Sequence, residues 1–328
     1  VTEVTWSPDG GRLAYVQMDT LPKAAREWRK KKWDHEVEDQ ITNWPQIWVI
    51  DVATARKQRL TADSTGKWHV RWSPDSRSLA WITSPTGRPD EQNAQDIAVL
   101  VVTAGTRRTL GVIGDGFAWS PDSKWIALAT GTDRRIHVQK SHLLAVPAAG
   151  GAPRVLTVAF AEDGHTPVWS ATSDTLFFHS AQNVTAQLAT VPLAGGIVQL
   201  SVDRHGATTP MTPGPGGRVA WVQSHPDRPA EIAIADHPRL DATIVTTQNA
   251  AVAKLPLGTT RAVRWMSTDG KQVEGLLLRP PGADENAALR TAVLLHGGPY
   301  GTRYDLGFQP QSQWLAVNGW QIFMPNFR

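Results

Sequence analysis

The chain has 328 residues, 41% hydrophobic and 19% charged, enough for two domains that each bury a core. Its 33 basic and 30 acidic residues leave a net charge of only +3, which gives no footprint for nucleic acid, and no apolar run approaches the roughly 20 residues of a membrane span. With no cysteine there is no disulfide, thiolate metal site or cysteine nucleophile, and the choice between a cytoplasmic and a periplasmic or secreted location stays open.

Residues 1–256 carry an internal repeat. Trp6-Ser-Pro-Asp-Gly10 is followed by Leu13-Ala-Tyr15, and Trp72-Ser-Pro-Asp-Ser76 by Leu79-Ala-Trp81. Trp119-Ser-Pro-Asp-Ser123 leads to Ile126-Ala-Leu128, and Trp169-Ser-Ala-Thr-Ser173 to Leu176-Phe-Phe178. A fifth, degraded copy has the triplet Val219-Ala-Trp221. The same spacing puts Thr212 in its tryptophan slot, ahead of the turn-rich Pro213-Gly-Pro-Gly216. Ser-Pro-Asp-Gly suits a type I turn, because proline fixes φ at the second position. Short β-rich runs flank that turn, so each motif predicts a hairpin.

A third strand is predicted in each copy at Gln46–Ile50, Ile97–Val102, Leu143–Val146, Leu188–Val191 and Glu231–Ala235. A more polar fourth follows in several, such as Lys57–Thr61 and Arg107–Leu110. Four strands in each 40- to 50-residue unit is the period of β-propeller blades. A β-sandwich would not repeat its turn motif at this long period. Ring closure predicts a seven-bladed propeller with about five blades visible, the others expected upstream of Val1.

The first unit holds an insertion at residues 21–40. Leu21, Ala24, Ala25 and Trp28 fall at helical spacing, while Trp33 and Val37 lie off that stripe. Two readings stand: a solvated helical excursion on the blade rim, or a lid whose Glu36, Glu38 or Asp39 pairs with a substrate amino terminus. The basic cluster Arg29–Lys32 is neutralised by the acidic residues that follow it.

The blades end near Pro256. A hairpin is predicted from Arg261–Ser267 through Thr268-Asp-Gly270 to Val273–Arg279, stopped by Pro280-Pro281. The apolar strand Thr291–Leu295 then runs into His296-Gly-Gly-Pro-Tyr-Gly301. A helix is expected over Phe308–Val317, ended by Asn318-Gly319, and Trp320–Pro325 forms a last strand before Asn326-Phe-Arg328. This order opens an α/β sheet. The domain expectation is therefore a propeller at 1–256 and the incomplete beginning of an α/β-hydrolase domain at 257–328. A strand that breaks into glycines after a histidine brings backbone N–H groups close to a reacting atom, as in half of an oxyanion hole. The plainer reading of His296–Gly301 is a tight strand-to-helix turn without chemistry.

Three features together resemble the prolyl oligopeptidase family of serine peptidases, in particular its acylaminoacyl-peptidase and dipeptidyl-peptidase branches. They are the Trp-Ser-Pro-Asp-Gly blade signature, the linker hairpin at Trp265–Pro280, and His296-Gly-Gly-Pro followed by Pro325-Asn-Phe-Arg328. The resemblance spans the chain but covers only the first part of the family's hydrolase domain. It implies that the Gly298 N–H faces the oxyanion. His296 then stands where a tyrosine donates in the prolyl oligopeptidase and dipeptidyl-peptidase relatives, and Arg328 and Tyr300 shape the pocket.

It also implies Ser-His-Asp acyl transfer on short peptides, possible release of acylated residues or dipeptides, and no cofactor. No Gly-x-Ser-x-Gly elbow occurs in the sequence, so the triad is expected after Arg328 and the 328-residue chain alone is expected to be inactive. The alternatives are a TolB-like propeller that binds a partner without catalysis, and an esterase on the same scaffold. The linker hairpin and His296-Gly-Gly-Pro speak against a pure propeller. No zinc-type histidine pair or P-loop is present. Gly111, Gly114 and Gly116 read as turn glycines, His137 and His142 as blade decoration, and Asn183-Val-Thr185 as a formal sequon. Oligomerisation is not legible.

Overall fold

A computed structural model describes residues 1–32, 43–114, 116–136, 139–200, 207–214, 217–237, 241–298 and 303–326. The chain forms two compact units, Val1–Val155 and Leu156–Arg328.

The first unit contains three four-stranded antiparallel sheets, each a sequential meander. The first sheet is β1 (Glu3–Trp6), β2 (Arg12–Met18), β3 (Pro45–Asp51) and β4 (Lys57–Arg59). The second is β5 (Gly66–Trp72), β6 (Ser78–Ser84), β7 (Asp96–Val101) and β8 (Thr106–Thr109). The third is β9 (Ala118–Trp119), β10 (Trp125–Thr130), β11 (His142–Pro147) and β12 (Arg154–Val155).

The Ser-Pro-Asp motif sets the first hairpin of each sheet. The Gly10 N–H donates to the Ser7 carbonyl at 2.8 Å, closing the predicted turn. The Ser7 hydroxyl donates to Asp9 at 2.5 Å and accepts the Arg12 N–H at 2.9 Å, and Asp9 accepts the Gly11 N–H at 3.0 Å. Trp6 thereby pairs with Leu13, Trp72 with Leu79 and Trp119 with Ile126.

Because a strand alternates its faces, the second sheet feeds two cores. Leu79 and Trp81 of β6 join Ala14, Val16, Ile47 and Val49 of the first sheet in one buried cluster. Ala80 between them, with Ile97 and Val99, packs instead with Ile126, Leu128, Leu144 and Val146 of the third sheet. The predicted excursion contains a helix, α1 (Lys23–Lys30), which buries no residue; Trp28 is 42% exposed. Glu36, Glu38 and Asp39, of the lid reading, lie outside the described residues.

The second unit begins with two more antiparallel meanders: β13 (His165–Trp169), β14 (Thr175–Gln182), β15 (Thr185–Pro192) and β16 (Gln199–Leu200), then β17 (Ala207–Pro213), β18 (Val219–His225), β19 (Arg228–Ala235) and β20 (Thr243–Ile244). Trp169 pairs with Leu176 as expected. The fifth copy requires a correction. Pro213, not Thr212, stands opposite Val219, and Thr212 pairs with Ala220. The cause is a turn one residue shorter: Gly214 donates to the Arg218 carbonyl, whereas Ser7 donates to that of Arg12.

The sixth sheet differs. It comprises β21 (Thr259–Met266), β22 (Gln272–Arg279), β23 (Arg290–Val293) and β24 (Trp320–Asn326), in the order β21-β22-β24-β23. β22 runs antiparallel to β21 and β24, while β23 and β24 are parallel. Helix α2 (Pro310–Val317) starts two residues later than predicted, and Gly319, just past its C-cap Asn318, has a φ of +84° that suits glycine. Ala316 of α2 packs with Leu276, Leu278, Ile322 and Met324. Val184, at the tip of the β14–β15 hairpin, is buried in the same cluster. Strand β23 is shorter than Thr291–Leu295, although Leu294 still donates to the Phe323 carbonyl at 2.9 Å.

Candidate active site

β23 and β24 run parallel, so their carboxyl ends emerge on the same edge of the sixth sheet. That edge is where ligands bind in open α/β sheets. His296-Gly297-Gly298 follows β23 there, and Asn326 ends β24. His296 is half-buried, while Gly297 and Gly298 are exposed. The two glycines leave no side chain between backbone and solvent, which lets a reacting atom approach.

The imidazole geometry restricts what His296 contributes. Its Nδ1 lies 2.7 Å from the Gly297 carbonyl oxygen, so Nδ1 carries the proton and donates. On the neutral ring Nε2, which is buried, is an acceptor, and a second donor exists only in the imidazolium. At neutral charge the backbone N–H groups of this loop are therefore better donors to an anionic ligand atom than the ring is.

Two residues to which the sequence analysis gave no role gather around the histidine. The Tyr304 ring meets the His296 ring edge-on, 5.7 Å between centroids and 69° between planes. Burial raises the Tyr304 phenol above its ordinary pKa. Asn326 holds the Tyr304 backbone from both sides: the Tyr304 N–H donates to Oδ1 at 2.7 Å, and Nδ2 donates to the Tyr304 carbonyl at 2.9 Å. Nothing in the sequence pairs positions 22 residues apart, so this contact was not legible beforehand.

Tyr300 and Arg328, expected to shape a pocket, lie outside the described residues. A cavity of about 480 Å³ is lined by His225, Pro226, Asp227, Arg261 and Leu306, among others. Thr259, also on its wall, pairs with Arg279 at the edge where β24 begins, so this cavity flanks the opposite end of the sheet from His296. Among the described residues no three His, Asp or Glu side chains gather as a metal site, and no helix is long and apolar enough to cross a membrane.

No protein-family model matches the chain. One curated relative is the uncharacterized peptidase YuxL of Bacillus subtilis, 29% identical over 129 residues, which is 38% of this chain and 16% of that protein. Solved structures match almost throughout. A puromycin hydrolase covers 99% of the chain with a TM-score of 0.69 and 16% identity. Dipeptidyl peptidase 4 of Porphyromonas gingivalis covers 98% with a TM-score of 0.66 and 12% identity. The acylaminoacyl peptidase of Pyrococcus horikoshii covers 100% with a TM-score of 0.59 and 14% identity. The chain spans about half of each of these proteins, 50%, 48% and 57%. It thus shares the fold of the peptidases that its motifs resemble.

Proposed function

We propose that this chain supplies the propeller, residues 1–256, and the opening strands of the α/β-hydrolase domain, residues 257–328, of a serine-type peptidase. Its substrates are short peptides, with removal of acylated residues or dipeptides from an amino terminus as the favoured action. The observation that carries the reading is the His296-Gly297-Gly298 segment, its glycines exposed, at the carboxyl edge of two parallel strands, in a chain folded throughout like known peptidases. In this role the Gly298 N–H donates to the oxyanion of the tetrahedral intermediate. His296 adds a side-chain donor only when its ring is charged. Tyr300 and Arg328 shape the pocket beside it. No Gly-x-Ser-x-Gly elbow occurs among the 328 residues, so no triad member is assigned within them. A seven-bladed propeller would restrict entry to peptides that fit its cavity.

The test is intact mass of the native gene product before and after a fluorophosphonate probe. One covalent adduct on a serine in such an elbow is the expected result, and no adduct sinks the reading. Gly298→Pro removes the N–H and is expected to slow labelling about 100- to 1000-fold. An adduct accompanied by turnover of esters but of no peptide would move the assignment to an esterase.

A further inference from the structure

The glycine loop is held at its base by a chain of contacts that starts on the neighbouring strand. Leu294 donates to the Phe323 carbonyl at 2.9 Å, which keeps the chain in register with β24 to within two residues of His296. Beyond the loop, the Tyr304 ring returns to the His296 ring at 5.7 Å. The Tyr304 backbone is in turn fixed by both polar atoms of the Asn326 carboxamide, at 2.7 and 2.9 Å. Two residues further on, the Leu306 N–H donates to the Val184 carbonyl at 2.7 Å, so the segment has a second anchor. β24 therefore contacts both ends of the loop: Phe323 on the side of β23, and Asn326 through Tyr304 on the other.

We propose that Asn326 is a positioning residue for the oxyanion loop: its carboxamide fixes Tyr304, and the Tyr304 ring fixes the His296 imidazole and with it the direction of the Gly297 and Gly298 N–H groups. The inference rests on the oxyanion role given to Gly298 above. Asparagine suits the task because one donor and one acceptor are required about 2 Å apart on a single rigid group. Aspartate keeps the acceptor but sets a second oxygen against the Tyr304 carbonyl.

The native gene product is labelled with ¹³C-histidine, and the His296 ring signal is assigned with His296→Gln. Tyr304→Leu is expected to remove the aromatic ring-current shift on that signal, and Tyr304→Phe to retain it. Asn326→Asp is expected to move the signal toward its Tyr304→Leu position. A folded Asn326→Asp protein with an unmoved His296 signal overturns the proposal. Should that variant fail to fold, identical His296 signals in wild type and Tyr304→Leu overturn it as well. In the native gene product, Asn326→Asp is expected to lower the maximal fluorophosphonate labelling rate about 10- to 100-fold, with half-saturation unchanged within about twofold. A shifted His296 signal with an unchanged labelling rate leaves the contact chain standing and overturns the oxyanion role on which it rests.

Discussion

At the scale of single residues, the blade turns explain why serine replaces glycine in the fifth position of the motif. Gly10 there has φ of +71°, and Ser76 and Ser123 have +60° and +61°, a region that costs an ordinary residue about 1 kcal/mol. The serines are held by a bond to the preceding sheet. The Asp9 N–H donates to the Ser76 hydroxyl at 3.0 Å, and the Asp75 N–H to the Ser123 hydroxyl at 3.0 Å. Ser76→Ala keeps the unfavourable φ and loses the acceptor, so it should cost about 1 kcal/mol. Ser76→Gly loses the same bond but relieves the backbone and should be near neutral. Urea unfolding of both variants separates the terms. Equal stability of Ser76→Ala and wild type would refute the inter-sheet bond.

At the scale of elements, the junction between the fifth sheet and the sixth is built on Gln313 and Gly258. Gln313 of α2 accepts the Gly258 N–H at 2.8 Å and donates to the carbonyls of Pro226 at 3.1 Å and Gly258 at 3.2 Å. One buried side chain thus ties the helix to the β18–β19 turn and to the linker. A Cβ on Gly258 would lie 2.4 Å from the Arg279 carbonyl oxygen and 2.9 Å from the Ala316 Cβ, and both are poorly placed to yield. Gln313→Leu, which strands two buried backbone groups of Gly258 and the part-buried Pro226 carbonyl, is expected to cost about 2–4 kcal/mol, and Gly258→Ala about 1–3 kcal/mol. Thermal melts of each variant measure this, and a loss below about 0.5 kcal/mol for Gln313→Leu would dismiss the junction.

The same scale shows what the sequence reveals and what it withholds. Trp–triplet spacing locates the hairpins of the first four sheets because the bonds of the motif serine are local, spanning five residues from Ser7 to Arg12 and from Ser170 to Thr175. It misplaces the fifth because glycines and prolines permit a shorter turn, shifting the register from Thr212 to Pro213. The short fourth strands Arg154–Val155, Gln199–Leu200 and Thr243–Ile244 carry too few residues to show a period. His296-Gly297-Gly298 is legible as a strand ending in glycines. Tyr304 and Asn326 are not, since only the parallel pairing of β23 with β24 brings them beside it.

At the scale of the molecule, the first unit holds a strongly paired carboxyl where its first two sheets meet. Asp63 lies in the connection from β4 to β5. Its side chain pairs with Lys67 of β5 at 2.7 Å and with Arg107 of β8, while its carbonyl accepts from Gln46 of β3 at 3.0 Å. The Lys67 side chain is 0% exposed and also donates to the Thr65 carbonyl at 2.9 Å. Burial works to raise the Asp63 pKa, but the hydrogen bonds from Lys67 and Arg107 outweigh it and hold the carboxyl at about 2. Burial lowers the Lys67 pKa in spite of Asp63.

A carboxyl whose folded pKa lies below its unfolded value near 3.9 contributes stability above that value and loses it as pH falls toward 2. Because Asp63 is about a third exposed, solvent screening reduces this contribution to about 1 kcal/mol. Asp63→Asn should therefore lower stability at pH 7 and flatten the acid limb between pH 4 and 2. It also leaves the buried Lys67 with less compensation, which depresses its folded pKa further. The unfolded state then binds more protons than the folded one at alkaline pH, so stability of the variant should rise with pH more steeply there than wild type. Urea midpoints from pH 2 to 10 measure both limbs. Parallel profiles for wild type and Asp63→Asn would show that the pair does not couple the two sheets to pH.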